Sequence, residues 1–543
     1  MRRTGSGPSS LHAMPCAERE TWARRCPTAV GQCELIVQLA TPVAFGGDSN
    51  AEQRLPRKLA LRTAVGPSLV TEAAGGVEWR DILAHMTDYA WDEDMDAEGW
   101  FWLAGSEERF YGRLDHDARE GPRLHFYDVP GGGWGSGEPP LMPDSRILGE
   151  LPGGVSVTLD SFNPTNWRST GIDPITRTVD GFAQSVLVGC HLQDDEPLVA
   201  DGFGASLHGL EATLTGALGE PGSLNPHGGR TVGAMAEGEW KQFELPDGAK
   251  LNFQVGESHS TGYRVTHTEV HAGLSVAVPA ALEAEDIEQR YLEPVREFVI
   301  FCTRRPSYVQ TLAFQLGEDY PGVKVLRRPW PYPRQPYREQ YRLGLNLARV
   351  SDPDEVMHRW FVLREEVGAV WLLLFSTIGA TEGLLENRFL NLMAFSEGYH
   401  RALRDAPPLT KAQARAGRRA IKRALNEEER DVRDLFLMRL AHVNSQTQRD
   451  RLIELGTQAK DLLGDDWDFE PSERSRAMVD TRNWMTHWGS RTEYVEDDPA
   501  SLVNFCRHLD LISYVAILRD LKLDDAEIIT AVGHGWVLDD LLR

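Results

Sequence analysis

The chain has little of what marks a secreted, membrane-spanning or nucleic-acid-coating protein. Its six cysteines, Cys16, Cys26, Cys33, Cys190, Cys302 and Cys506, form no C-x-x-C pair. Neither a disulfide framework nor a zinc knuckle is therefore indicated, and a reducing cytoplasm suits the pattern. The longest uncharged apolar run, Val367 to Thr381, falls short of the roughly 20 residues that span a bilayer, so it reads as a buried helix and no membrane partner is expected. Arg2 and Arg3 are followed by no apolar segment, which excludes a signal peptide there. Residues 1–33 read as a disordered extension, with Met14 as an alternative start. Basic charge is also scarce. With 57 Lys and Arg against 81 Asp and Glu, the net charge is -24, which excludes a protein that coats nucleic acid or an anionic membrane over its whole surface. A local basic site remains compatible with that balance.

What is present is a soluble, globular composition, 41% hydrophobic and 25% charged, in 543 residues. That length is too great for one ordinary core, so two or three domains are expected. From Glu34 to about 326 the signals are those of β structure. Short apolar runs such as Leu35–Leu39, Phe101–Leu103, Arg123–Tyr127, Val155–Leu159, Ser185–Val188 and Leu274–Val278 are separated by Gly, Pro, Asn and Asp. They predict an antiparallel, sandwich-like domain or open barrel, with helices over Glu78–Tyr89 and Ala281–Cys302. The glycine-rich Gly131–Gly137 lacks the Lys-Ser/Thr of a phosphate loop and reads better as a surface loop. His267, Glu269 and His271 alternate along one expected strand, as metal ligands or as a polar strand face. No metal or other cofactor is required by the rest of the argument.

The basic, proline-rich stretch 327–350 reads as a linker. Beyond it, over 351–543, the apolar period changes from two to 3.6, and helices are expected at 353–379, 381–404, 410–425, 427–463, 471–489, 498–522 and 525–541. The α+β class follows, with the β-rich part first. Lys411, Arg415, Arg418, Arg419, Lys422 and Arg423 form a segment without an acid, which suits either a phosphate backbone or a solvated helix face.

One stretch in the helical part carries chemistry: Arg482-Asn483-Trp484-Met485-Thr486-His487. At about 100° per residue Asn483 and His487 share a helix face, and the long Arg482 side chain reaches the same volume. A fixed positive fork, an amide and a side chain that titrates near neutral pH suit cleavage of a phosphodiester without a metal. Trp484 and Trp488 are a second pair four apart, for stacking an unpaired base or for the core. An Arg followed by a His after four to six intervening residues is a common pattern: Arg80/His85, Arg109/His116, Arg119/His125 and Arg264/His271 show it too, within an expected helix, strands or turns. A structural reading, with Arg482 paired to Asp480 or a core carboxylate and His487 a satisfied, half-buried histidine, stands beside the catalytic one.

Set in a helical region of this size, Arg482-Asn483-x-x-x-His487 resembles the motif of the HEPN ribonuclease superfamily: Arg, a polar residue, then His in a short bundle. The helix Leu384–Arg401 resembles the Glu-containing helix of its ApeA-like anti-phage branch, which also carries a β-rich region ahead of the bundle. The resemblance implies a metal-independent endoribonuclease of abortive-infection defence. Arg482, Asn483 and His487 would be its active-site residues and Glu397 and His400 would support them; beside these, the charge of Lys411, Arg415, Arg418 and Arg419 and the ring of Trp484 suit substrate binding. It also implies RNA as partner, tRNA foremost, a homodimer or higher oligomer formed through the helical domain, and a phage-derived activator on the β-rich domain. The opposing expectation is a non-catalytic RNA-binding or dimerisation module with a β-rich ligand-binding domain.

Overall fold

The computed structural model describes residues 95–534, apart from 118–119, 128–143, 171–175, 195, 215–240, 263–264, 318–321, 328–343, 380–382, 405–406, 408, 428–429, 440–443, 466 and 488–490. The expected strand Leu35–Leu39, the expected helix Glu78–Tyr89, the Gly131–Gly137 stretch, most of the 327–350 segment and Trp488 lie outside the described residues. So do the side chains of His267, Glu269 and His271.

The β-rich part contains β1 (Met95–Leu103), β2 (Phe110–Asp117), β3 (Gly121–Phe126), β4 (Ser145–Leu151), β5 (Val155–Thr170), β6 (Thr176–Phe182) and β7 (Ser185–Val188). After these come β8 (Val199–Leu207), β9 (Lys241–Glu244), β10 (Lys250–Gly262), β11 (Val265–Glu283), β12 (Val309–Gln315) and β13 (Val323–Arg327). They form one 13-stranded antiparallel sheet in the order β4-β1-β2-β3-β6-β5-β7-β13-β12-β8-β11-β10-β9. Because β4 pairs with both β1 and β5, the first six strands close into a barrel. The sandwich-like layering expected from strand spacing thus takes the form of a barrel that continues into an open sheet.

Closure depends on β5. Its first half pairs with β4 and β7, and its second half with β6. The register breaks near Ser161, whose φ of 51° is the left-handed turn of a bulge that swings the strand from one neighbour to the next. Phe101, Leu114, Leu124, Phe162 and Val179 alternate into the interior and are buried. Gly149 and Gly181 make room for them: a Cβ at either position would lie 2.4 Å from the Phe101 ring or 2.2 Å from the Phe162 ring.

The helices are α1 (Leu210–Leu214), α2 (Ala284–Ile287), α3 (Glu293–Thr303), α4 (Pro353–Val367), α5 (Trp371–Ile378) and α6 (Leu385–Arg404). They continue with α7 (Lys411–Ala424), α8 (Arg430–Arg439), α9 (Gln448–Leu463), α10 (Pro471–His487), α11 (Pro499–Asp520) and α12 (Asp525–His534). One turn of π-helix joins α2 to α3. Two single helices expected from periodicity are each divided. Gly368, at φ 63°, ends α4 before α5. Between α8 and α9, Thr447 begins a new helix with a reciprocal capping box, its hydroxyl accepting from the Asp450 amide while the Asp450 carboxylate accepts from the Thr447 amide.

The helical bundle and the sheet share one core. Helix α3 is buried nearly all round, and its Phe298 and Phe301 rings lie 5.1 and 5.3 Å from Trp360 of α4. Trp360 Nε1 donates to the Pro294 carbonyl at 2.8 Å, and Arg364 Nε to Glu297 at 2.8 Å. Deeper still, Arg304 just after α3 is paired with Asp510 of α11, their side chains 1% and 6% exposed. In the bundle α9 packs against α6, α10 and α11. Helix α11 is long and apolar enough to cross a membrane by composition, yet 72% of that window is buried among the other elements.

Candidate active site

Helix α10 starts on Pro471, which suits a first turn because its missing N–H leaves no bond unmade. Ser475, Met478 and Thr481 recur every three residues and face inward. The last two turns are then left at the surface, with Arg482 and Trp484 half-buried and Asn483, Thr486 and His487 exposed. Arg482 Nη1 donates to Asn483 Oδ1 at 3.1 Å, and the Thr486 hydroxyl donates to the Arg482 carbonyl at 2.8 Å.

The segment between α10 and α11 runs back along the helix and fixes it. The Thr492 hydroxyl donates to Asp480 at 3.0 Å, and the Glu496 amide donates to the Thr481 hydroxyl at 2.9 Å. The Arg476 guanidinium stacks on Tyr494 at 3.5 Å, and that of Arg491 lies 5.8 Å from the Trp484 ring centre. Asp498 then caps α11, accepting from the Ala500 and Ser501 amides at 3.1 Å. Asp480, the partner that a purely structural reading assigns to Arg482, is thus engaged by Thr492. Among the described residues the His487 side chain has no hydrogen-bond or ion-pair partner, and the Arg482 guanidinium has only Asn483. The two do not meet within one chain.

Glu397 and His400 sit elsewhere. Both lie on α6 and face α9: Glu397 accepts from Arg451 at 3.3 Å and from Arg401 at 2.7 Å. His400 is fully buried, with Nε2 3.0 Å from the Glu454 carboxylate. These residues tie α6 to α9, and α9 supports α10 from behind. Arg451, Glu454, Thr481, Thr492 and Glu496 were not singled out by sequence reasoning. The available signal was Arg451 beside the Leu452, Leu455 and Ala459 stripe of α9, a charge bordering an apolar face.

The basic residues Lys411, Arg415, Arg418, Arg419, Lys422 and Arg423 are all exposed on α7. Neither α7 nor α8 has a buried residue among those described. The pair stands out from the bundle, held at its base by Asn444, which accepts from the Leu409 amide and donates to its carbonyl. Among the described residues no group of three His, Cys, Asp or Glu is placed to hold a metal.

The chain thus joins a β barrel through α3 to a bundle that displays Arg482-Asn483-x-x-x-His487 on one surface helix. Two family models agree: Apea-like HEPN matches residues 390–527, and ApeA N-terminal domain 1 matches residues 96–346. The first spans α6 to the start of α12, including Glu397, His400 and the α10 motif, and the second spans the whole sheet through Asn346. The chain belongs to the ApeA-like HEPN anti-phage family. No curated protein and no solved structure matches it.

Proposed function

We propose that this protein is a metal-independent endoribonuclease of anti-phage defence, with tRNA its foremost substrate. The observation that carries the reading is the display of Arg482, Asn483 and His487 on the exposed last turns of one helix, where Asp480 already accepts from Thr492. In the reaction the RNA 2′-oxygen attacks the adjacent phosphorus and the bond from phosphorus to the 5′-oxygen breaks. The products are a 2′,3′-cyclic phosphate and a 5′-hydroxyl, which takes up a proton as the 2′-hydroxyl loses one. His487 moves these protons, because imidazole exchanges them near neutral pH. Arg482 binds the non-bridging oxygens, where negative charge grows in the transition state. Asn483 orients the guanidinium it already contacts.

Arg482 and His487 are about 140° apart on α10, so a second copy of the chain completes the site. Glu397 and His400 act by holding α6 against α9, and the α7 cations bind the RNA backbone. The β-rich domain senses a phage-derived activator and restrains the nuclease until it arrives.

The test is incubation of the purified protein with tRNA and ribosomal RNA in chelator, followed by analysis of product ends. Discrete cyclic-phosphate products, absent with His487→Ala and with Arg482→Ala, support the reading. A strict metal requirement, or undiminished cleavage by both variants, overturns it. Substrate binding without any cleavage would favour the non-catalytic RNA-binding module instead.

A further inference from the structure

The outer face of the barrel carries a second constellation, far in sequence from α10. Trp100 of β1, Tyr111 of β2 and Tyr127, just after β3, leave 49%, 39% and 37% of their surface exposed. Large aromatic rings displayed together on a sheet face mark an interaction site more often than chance exposure does. The Trp100 and Tyr111 ring centres are 5.2 Å apart with planes at 63°, and those of Tyr111 and Tyr127 are 6.0 Å apart at 31°. The rings are thus tilted against one another rather than stacked face to face, and each keeps part of its surface open to a ligand. A carboxylate lies between them: Glu98 accepts from the Tyr111 hydroxyl at 2.8 Å and from the Tyr127 hydroxyl at 3.1 Å.

The charges around the rings are unequal. Asp96 accepts two bonds from Arg113, each 2.6 Å, and Asp115 stands opposite Asp96 in the register. Arg123 is paired with Glu120, and Arg109 is balanced by Glu150 at 3.2 Å. Asp96, Glu98, Asp115 and Glu120 thus outnumber Arg113 and Arg123 in this patch. An acidic excess repels a phosphate backbone and attracts a cation, and three tilted aromatic rings with a carboxylate are the surroundings that an alkylammonium or guanidinium group prefers.

We propose that this barrel face binds a cationic segment of a partner protein, with a Lys or Arg side chain seated against Trp100, Tyr111 and Tyr127 beside Glu98. Binding does not rest on RNA cleavage by α10; only the role of the face as the port for an activator does. All the residues involved stand on the outer side of strands whose inner residues fill the barrel, so they can be changed without opening the core.

The experiment is fluorescence anisotropy of fluorescein-labelled octalysine titrated with the full chain at low ionic strength. Tyr111→Ala and Glu98→Gln each weaken binding by about tenfold relative to wild type. Glu365→Gln, which removes an exposed carboxylate of α4, leaves it unchanged. Equal weakening by all three variants reduces the binding to general attraction by an acidic protein and overturns the proposal. Absence of binding to wild type overturns it as well, as does tighter binding of labelled oligouridine at the same rings. Self-association of the wild type that Tyr111→Ala abolishes would assign the face to a second copy and equally count against it.

Discussion

Arg451 and Arg482 lie on α9 and α10, two helices that pack on each other, and the fold uses them in opposite ways. Arg451 is buried and holds Glu397, so its charge is consumed in fixing α6 to α9. Arg482 is half exposed and touches only the neighbouring amide of Asn483 among the described residues. The same contrast separates His400, fully buried beside Glu454, from His487, which stands at the surface end of α10. A charge inside the protein is retained for its partner, because separating the two would leave an ion in a poor solvent. A charge at the surface can be spent on a substrate. Stability and activity should therefore respond to different members of one candidate site.

The largest loss of stability is expected at the seam between sheet and bundle, where Arg304 meets Asp510. Arg304→Met leaves Asp510 buried without its cation and should cost about 3–5 kcal/mol, read as a fall in thermal midpoint; adding Asp510→Leu should restore much of it. A variant as stable as wild type would remove the seam from the buried class.

Acidification tests the interior in another way. Burial against Trp467 and Phe469 lowers His508 to about 4, below the ordinary histidine value of 6.5, with the nearby cations of Arg474 and Arg507 acting the same way. The unfolded chain then binds the extra proton first. The contribution is present above pH 6.5 and is lost as pH falls towards 4, on the order of 3 kcal/mol in all. His508→Gln should flatten the fall in thermal midpoint over that range; an unchanged curve would assign the acid sensitivity elsewhere.

Arg451→Met should cost about 2 kcal/mol, less than Arg304→Met because Glu397 keeps partial access to water and a second partner in Arg401. The smallest stability changes belong to Arg482→Ala and His487→Ala, within about 0.5 kcal/mol, since neither side chain holds another element. Their effect is expected in RNA cleavage, which both variants should abolish. A large shift in thermal midpoint for either would erase the contrast with Arg451.

Much of this arrangement was legible in the amino-acid order. Alternating apolar residues marked β1, β3, β5, β7 and the later half of β11, and the 3.6-residue period marked α6, α7, α10 and α11. Glu397 and His400 stood out as polar groups on α6. What they contact did not, because Arg451 and Glu454 come from a helix 54 residues further along the chain, and no local pattern pairs them. Barrel closure was equally hidden: it requires β4 to meet both β1 and β5, and depends on a bulge at Ser161 whose residue type gives no warning. The breaks at Gly368 and before Thr447 had local signals, a glycine and a Thr-x-x-Asp cap, that the surrounding apolar periodicity outweighed.

The sequence by itself determined the kinds of element, the acidic balance of the chain and the side chains proposed for phosphodiester chemistry, because each depends on residues within a few positions of one another. Only the tertiary structure decided which charges are consumed inside, as at Arg304 and Glu397, and which are left at the surface, as at Arg482. Burial is set by contacts between residues remote in the chain, and the cost of removing a charge from water makes that difference decisive for what each can do.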